Sequence, residues 1–146
     1  MRILLINGPN LNMLGKRQPE IYGKMTLQDI VDKVTARGKE LGVEVIAFQS
    51  NTEGEIVDFI QKHRDADGAL INAGALTHYS LAVRDAFESV QKPFVEVHIS
   101  NIHAREEFRH HSVLADIAVA QVAGLGWRGY IAALDALVGI LEDRRK

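Results

Sequence analysis

Short apolar runs that alternate with helix-forming segments are the feature that most constrains the fold of this chain. The runs occupy residues 3–6, 43–48, 69–71, 94–97 and 117–122, and most segments between them repeat apolar residues at helical spacing. Strands that are short and apolar throughout are typical of a parallel sheet with helices on both faces. The pattern therefore predicts an α/β fold with a doubly wound, five-stranded parallel sheet.

Five such strands favour the flavodoxin-like order 2-1-3-4-5. In that order the topological switch point, where the strand order reverses, lies between strands 1 and 3, so a ligand is expected beyond the carboxyl ends of strands 1, 3 and 4. Helix starts agree with the pattern, because Thr26 precedes Asp29 by three residues and Thr52 precedes Glu55 by three, which predicts two capping boxes. Gly42 is predicted to end the first helix.

Length and composition exclude several classes of protein. A chain of 146 residues is most simply a single domain spanning 1–146. Its 17 basic and 19 acidic residues nearly balance, so we expect no nucleic-acid partner and no binding to an anionic membrane. It has no cysteine and no apolar stretch long enough for a signal sequence or a membrane span, which predicts a cytoplasmic protein.

The loop of residues 8–25 is much longer than the usual connection after a strand, which favours a lid or binding element over an insertion without function. It is not a phosphate loop, because Arg17 follows Lys16 where such a loop has Ser or Thr. A flavin site would also favour hydroxyl side chains that this loop lacks. Arg17 lies five residues before Tyr22 and could lower the pKa of a tyrosine base, although Tyr22 could instead simply pack.

Glu96 and His98 are two residues apart on predicted strand 4, so their side chains point to the same face. A carboxylate beside an imidazole fixes its tautomer and favours a general acid, although a purely structural core pair has the same spacing. A metal site is not indicated, because the histidines show no HExxH or related spacing.

Polar residues also follow strands 3 and 4. Asn72 and His78 flank the loop after strand 3, where they could bind a ligand or serve ordinary turn chemistry. Arg105 and Arg109 have the spacing of one helical face, with Glu106 and Glu107 off it. Two aligned arginines could hold an oxygen-rich group, and a surface ion-pair face is the alternative.

Four segments together carry a resemblance to a known family. They are "INGPNLNMLGKRQPEIYG", "FQSNTEGEIVDFI", "INAGALTHYSLAVRDA" and "VEVHISNIHAREEFRHHS", and in this order they resemble the type II 3-dehydroquinate dehydratases over nearly the whole chain. The resemblance implies a flavodoxin-like protomer and dehydration of 3-dehydroquinate to 3-dehydroshikimate by anti elimination through an enolate. It implies no cofactor and no metal, a catalytic lid at residues 8–25, and a homo-oligomer, namely a dodecamer built from trimers.

The resemblance also implies catalytic roles. Tyr22 matches the base that removes a proton from C2, and Arg17 matches the lid arginine essential to that step. His98 matches the general acid and Glu96 the residue that orients it, while Asn10 matches a residue that helps hold a water at the enolate oxygen. A non-catalytic interaction module would leave these side chains without a joint purpose.

Further positions match residues that bind the substrate or support the site. The positions that match binding of the carboxylate and ring hydroxyls are Asn72, His78, Ser100, the backbone of Ile99, and Arg109. Arg105 matches an arginine near the base. Asp85 matches an acid that reaches toward the site of a neighbouring subunit.

Overall fold

A computed structural model describes residues 1–16, 20 and 23–146 of the chain, and in this part five strands alternate with four α-helices. The strands are β1 (Arg2–Asn7), β2 (Glu44–Gln49), β3 (Gly68–Asn72), β4 (Phe94–His98) and β5 (Ala120–Ala123). The helices are α1 (Leu27–Glu40), α2 (Glu53–Lys62), α3 (Leu81–Val90) and α4 (Arg128–Arg144). Short 3-10 turns occupy Leu11–Met13, Gly74–His78, Ile102–Ala104 and Glu107–Arg109. Within the described residues, no helix is both long enough and apolar enough to cross a membrane.

The five strands form one parallel sheet in the order β2-β1-β3-β4-β5, which confirms the predicted order. The register places Asn7 of β1 beside Asn72 of β3. It also places Glu96 of β4 beside Gln121 of β5. The carboxyl ends of β1, β3 and β4 therefore lie side by side at the same end of the parallel sheet, where the polar side chains collect.

Each face of the sheet has its own apolar core. Ile3 and Leu5 of β1 point toward α1 and α4, whereas Leu4 and Ile6 of the same strand point toward α2 and α3. This alternation follows from the two-residue repeat of a strand, and it explains why β1 is apolar throughout. Residues 96 and 98 fall on the face of α2 and α3, while residues 7 and 72 fall on the face of α1 and α4.

The helix starts confirm one predicted capping box and correct the other. Thr26 and Asp29 form the box at the start of α1, and Gly42 follows the end of α1 with a φ of +74°, as predicted. Thr52 precedes α2, but its side chain makes no capping hydrogen bond. Ser50 bridges the two residues instead, because its hydroxyl donates to the Glu55 carboxylate at 2.6 Å and accepts from the Thr52 amide at 2.9 Å.

The last strand is shorter than the apolar run that predicted it. Strand β5 begins at Ala120, whereas the run begins at Ile117. Ile117 and Ala118 pack against the core on the face of α2 and α3, and Ile117 lies in a turn closed by its amide and the Leu114 carbonyl at 3.1 Å. These two residues are apolar because they pack against the core, although they precede the strand. The apolar run therefore overestimated the length of β5.

Candidate active site

The loops that follow β1 and β3 pack backbone against backbone. The Gly8 amide donates to the Asn72 carbonyl at 2.8 Å. A Cβ atom at Gly8 would lie 2.4 Å from the carbonyl oxygen of Ala73, and one at Gly74 would lie 2.9 Å from the carbonyl oxygen of Pro9. Only glycine permits this approach, and it fixes the start of the first loop against the end of β3.

Glu96 and His98 form a buried pair at the carboxyl end of β4. Nε2 of His98 lies 2.5 Å from Oε2 of Glu96, which confirms the predicted placement of both side chains on one face of the strand. Glu96 is 0% exposed and His98 is 5% exposed. A carboxylate buried this completely is stable only when hydrogen-bond donors surround it.

Two further donors complete the surroundings of Glu96. Ser112 donates from its hydroxyl to Oε1 at 2.6 Å, and Gln121 donates from Nε2 to Oε2 at 2.7 Å. Burial acts to raise the pKa of Glu96, but the hydrogen bonds from His98, Gln121 and Ser112 outweigh it and hold that pKa below its ordinary value. Glu96 is therefore an ionised acceptor in the folded protein.

The sequence prediction missed both of these donors. Gln121 is a lone amide inside an apolar run, and a parallel partner strand places it beside Glu96. That interruption was a signal, but its use required the pairing of β4 with β5. Ser112 lies in a loop 16 residues after Glu96, and no spacing rule connects the two.

Asn72 belongs to a second buried network, on the other face of the sheet. Its Nδ2 donates to the hydroxyl of Tyr130 at 2.9 Å, and that hydroxyl donates to Oδ1 of Asn7 at 2.6 Å. Oδ1 of Asn72 accepts from the Gly74 amide at 3.1 Å. Burial raises the pKa of Tyr130 above its ordinary value, so the phenol stays neutral and can both donate and accept. Neither Asn7 nor Tyr130 was a predicted site residue.

The predicted residues His78 and Asn10 lie on the loops after β3 and β1. Nδ1 of His78 lies 2.7 Å from the carbonyl oxygen of His111, so Nδ1 carries the proton and Nε2 is not used by this bond. Asn10 is exposed with a φ of +71°, and its amide donates to Oδ1 of Asn51 at 2.9 Å. Both residues lie beyond the carboxyl ends of the strands, as predicted.

The loop after β4 carries the other predicted residues in a different backbone conformation from the one expected. Ile99 is half-buried and Ser100 is exposed. The helical face proposed for Arg105 and Arg109 is wrong, because Arg105 is extended between two separate 3-10 turns. The expectation that Glu106 lies away from the arginines is also wrong, since its Oε2 pairs with Nε of Arg109 at 2.5 Å. The pair lowers the pKa of Glu106.

The remaining predicted residues are Asp85, Arg17 and Tyr22. Asp85 is exposed on α3, as a residue that reaches another subunit would have to be. Arg17 and Tyr22 lie outside the described residues. In the part of the chain that the structure covers, no three His, Cys, Asp or Glu side chains could share a metal ion.

Comparison with known proteins gives one consistent result. The model of the family described as dehydroquinase class II matches residues 1–138. A 3-dehydroquinate dehydratase of Thermotoga neapolitana is 57% identical over 147 aligned residues, which cover all of both chains. Among solved structures, a type II dehydroquinase from Butyrivibrio crossotus has a TM-score of 0.89 and 48% identity, covering 94% of this chain and 97% of that one. A type II dehydroquinase from Propionibacterium acnes has a TM-score of 0.88 and 43% identity, covering 94% and 96%.

The family match, the identity and the shared fold extend over nearly the whole chain. The observed strand order agrees with that result. The chain belongs to the dehydroquinase class II family.

Proposed function

We propose that this chain catalyses the dehydration of 3-dehydroquinate to 3-dehydroshikimate by anti elimination through an enolate. Membership of the family, together with relatives named 3-dehydroquinate dehydratase, makes dehydration of this substrate the reaction of the chain. The observation that carries the mechanism is the ionised Glu96 held against His98 at the end of β4. An imidazole oriented by a carboxylate can protonate a departing hydroxyl group.

The reaction needs one base and one acid. The base removes the proton from C2 and leaves an enolate, and the bond from carbon to the hydroxyl oxygen then breaks as the acid protonates that oxygen to release water. His98 acts as the acid. Tyr22 acts as the base, with Arg17 favouring its phenolate form; these two assignments rest on the resemblance of the first loop, residues 8–25, which acts as a lid.

Substrate contacts come from the loops after β3 and β4. Asn72, His78, Ser100 and the Ile99 backbone bind the ring hydroxyls and carboxylate, and Nε2 of His78, which the bond to His111 leaves available, can accept from a hydroxyl. Arg109 binds the same groups, and its ion pair with Glu106 engages Nε of the guanidinium. Asn10 helps hold a water at the enolate oxygen, and Arg105 lies near the base. The site takes no metal and no cofactor.

The working unit that we propose is a cytoplasmic homo-dodecamer built from trimers, without nucleic-acid or membrane partners. Asp85 on α3 reaches the site of a neighbouring protomer, and its exposure in the isolated protomer supports that role. Whether the product enters aromatic biosynthesis through the shikimate pathway or arises in quinate breakdown, the chemistry of the site is the same.

The experiment is to mix the purified protein with 3-dehydroquinate and follow the absorbance of the conjugated enone in the product. Turnover is expected for the wild type and is lost in His98→Ala. His103→Ala is the matched control, because His103 is an exposed histidine in the loop after β4 and should leave turnover unchanged. Absence of turnover in the wild type would contradict the function.

Borohydride treatment in the presence of substrate tests the enolate mechanism separately. An enolate mechanism forms no imine, so activity should survive and no adduct should appear by mass spectrometry. Loss of activity with a mass adduct on a lysine would overturn the mechanism while leaving the overall reaction in place.

A further inference from the structure

Glu96 receives donors from three separate segments of the chain. His98 comes from the same strand, Gln121 lies beside Glu96 in the paired strand β5, and Ser112 comes from the loop between β4 and β5. Their distances to the carboxylate are 2.5, 2.7 and 2.6 Å, respectively. The last two donors also line an open surface cavity of about 600 Å³, so they separate the buried pair from solvent on that side.

The direction of the Ser112 hydrogen bond is fixed by its other partners. Its hydroxyl oxygen accepts from the Leu114 amide at 3.1 Å and from the Ala115 amide at 3.0 Å. A serine hydroxyl has two lone pairs and one proton. Both lone pairs face backbone amides, so the single proton must point to Oε1 of Glu96.

The direction of the Gln121 hydrogen bond follows from the ionised state of Glu96. A carboxylate only accepts, so the amide nitrogen of Gln121 faces Oε2 and its oxygen faces away. Hydrogen bonds from Ser112 and Gln121 reach both oxygens of Glu96, and together with the one from His98 they hold the pKa of Glu96 below its ordinary value, so the carboxylate carries no proton of its own. The third contact, from Nε2 of His98, must then also be a donated hydrogen bond.

We propose that Ser112 and Gln121 are positioning residues that keep Glu96 a pure acceptor and thereby fix the tautomer of His98. The proton on Nε2 stays on that nitrogen, in the hydrogen bond donated to Glu96, and the proton that His98 gives to the departing hydroxyl is the one on Nδ1. After that transfer, His98 is neutral with its remaining proton on Nε2 and its lone pair on Nδ1. This inference rests on the proposed function, in which His98 is the acid.

The first test removes the donor at residue 121. Gln121→Met keeps an unbranched chain of similar length but cannot donate to Oε2. We expect kcat to fall by about three- to tenfold, with substrate affinity by calorimetry unchanged, because one charge-assisted hydrogen bond to Glu96 is lost. Gln61→Met is the matched control, since Gln61 is an exposed glutamine on α2 outside the proposed site, and it should retain the wild-type kcat.

The second test removes the donor at residue 112 and then restores it. Ser112→Ala should lower kcat to a similar degree, and Ser112→Thr should recover at least half of that loss because threonine keeps the hydroxyl. The recovery separates donation to Glu96 from a general disturbance of the loop. Equal loss in both variants would assign Ser112 to the turn alone and contradict its role as a donor.

The third test reads the tautomer directly and does not depend on turnover. Solid-state ¹⁵N NMR of histidine-labelled protein, assigned with His98→Gln, distinguishes a protonated ring nitrogen from a bare one. For neutral His98 we expect the proton on Nε2 in the wild type and a mixture of both tautomers in Gln121→Met and Ser112→Ala. A wild-type proton on Nδ1, or variants with unchanged kcat and tautomer, would overturn the inference.

Failure of the inference and failure of the proposed function give different results. A wild-type protein without dehydratase activity contradicts the function, whereas the tautomer of His98 and its response to the two substitutions decide the inference in either case.

Discussion

Nδ2 of Asn72 donates a hydrogen bond of 2.9 Å to the phenol oxygen of Tyr130, which ties the end of β3 to α4. The same phenol donates to Asn7 at the end of β1. Asn72 and Asn7 are 4% and 1% exposed, so loss of the phenol would remove a partner from two buried amides. Tyr130 therefore holds the ends of the two central strands in register with the helix above them.

Tyr130→Phe should destabilise the protein and weaken substrate binding. Two buried amides lose a partner, and each unsatisfied polar group typically costs about 1–3 kcal/mol. Because Asn72 is then less well held, we expect a higher KM with a smaller change in kcat. Urea denaturation and steady-state kinetics measure both effects. Tyr79→Phe is the control, since Tyr79 is 64% exposed and should behave as wild type; equal stability of the two variants would contradict a structural role for the buried phenol.

Glu96→Gln should show a pH-dependent loss of stability. The folded-state pKa of Glu96 is lowered, so its ionised form stabilises the fold above the ordinary carboxyl pKa of about 4.3. That contribution is lost as the pH falls through the lowered value. At neutral pH the variant should be less stable than wild type by about 1.5–3 kcal/mol, the usual range for hydrogen bonds to a charged group. Denaturation at a series of pH values should show this difference narrowing below about pH 4, and a constant difference would mean that Glu96 is not the titrating group.

Gly8→Ala should destabilise the fold by forcing two loops apart. The added Cβ would lie 2.4 Å from a backbone oxygen of Ala73, and a backbone atom cannot rotate away as a side chain does. Such overpacking typically costs about 1–3 kcal/mol. Gly139→Ala within α4 is the matched control, because nothing lies within 4 Å of its added Cβ and alanine favours a helix. The melting temperature should therefore fall for Gly8→Ala and rise for Gly139→Ala.

Tyr22→Phe should abolish turnover and leave substrate affinity largely intact. The phenol is the proposed base, whereas the contacts at Asn72, Ser100 and Arg109 remain. Arg17→Ala should act in the same direction, with its residual activity rising at higher pH because the phenolate becomes scarce at neutral pH without the cation. Arg17→Lys keeps the charge but loses the planar fork, and we expect severe impairment as well.

The measurement for the Tyr22 and Arg17 variants is kcat against pH, with substrate affinity by calorimetry. A Tyr22→Phe protein that keeps more than about a tenth of the wild-type kcat, a barrier change below roughly 1.4 kcal/mol, would mean that another group is the base.

Asp85→Ala should weaken both assembly and turnover if the residue reaches a neighbouring protomer. Sedimentation velocity and the enone assay on the same samples report the two effects. Asp143→Ala, an exposed aspartate near the end of α4, is the control for loss of one surface charge. An active wild-type monomer of 16.2 kDa would show that the assembly is not required.

The strand order and the Glu96–His98 pair could be predicted from sequence because each depends on a local repeat. Apolar runs separated by helices limit the sheet to few arrangements, and residues two apart on a strand must share a face. The prediction that Arg105 and Arg109 share one helical face was wrong because helical spacing is informative only where a helix forms. There the Asn101 side chain accepts from the His103 amide at 3.1 Å and stabilises a short turn instead.

The hydrogen-bond partners of Glu96 and Asn72 could not be predicted from the sequence for a different reason. Ser112, Gln121 and Tyr130 reach Glu96 and Asn72 across gaps of 16, 25 and 58 residues. Contacts of this kind depend on register and loop path, which no local pattern determines. The role of Ser50 at the start of α2 was not predicted, because Thr52 has the sequence spacing of a capping box. The hydroxyl of Ser50 nevertheless makes the hydrogen bonds to Glu55 and from the Thr52 amide.

The position of these donors late in the chain has a consequence for synthesis on the ribosome. A nascent chain that has emerged only through β4 contains Glu96 but neither Ser112 nor Gln121. Burying a carboxylate that lacks donors is costly, so β4 cannot settle stably into the sheet until β5 has been made and paired with it. Until then β4 is also an open strand edge that another growing chain could pair with. Translation that pauses between residues 98 and 120 would therefore expose the protein to misassembly at the strand that carries Glu96 and His98.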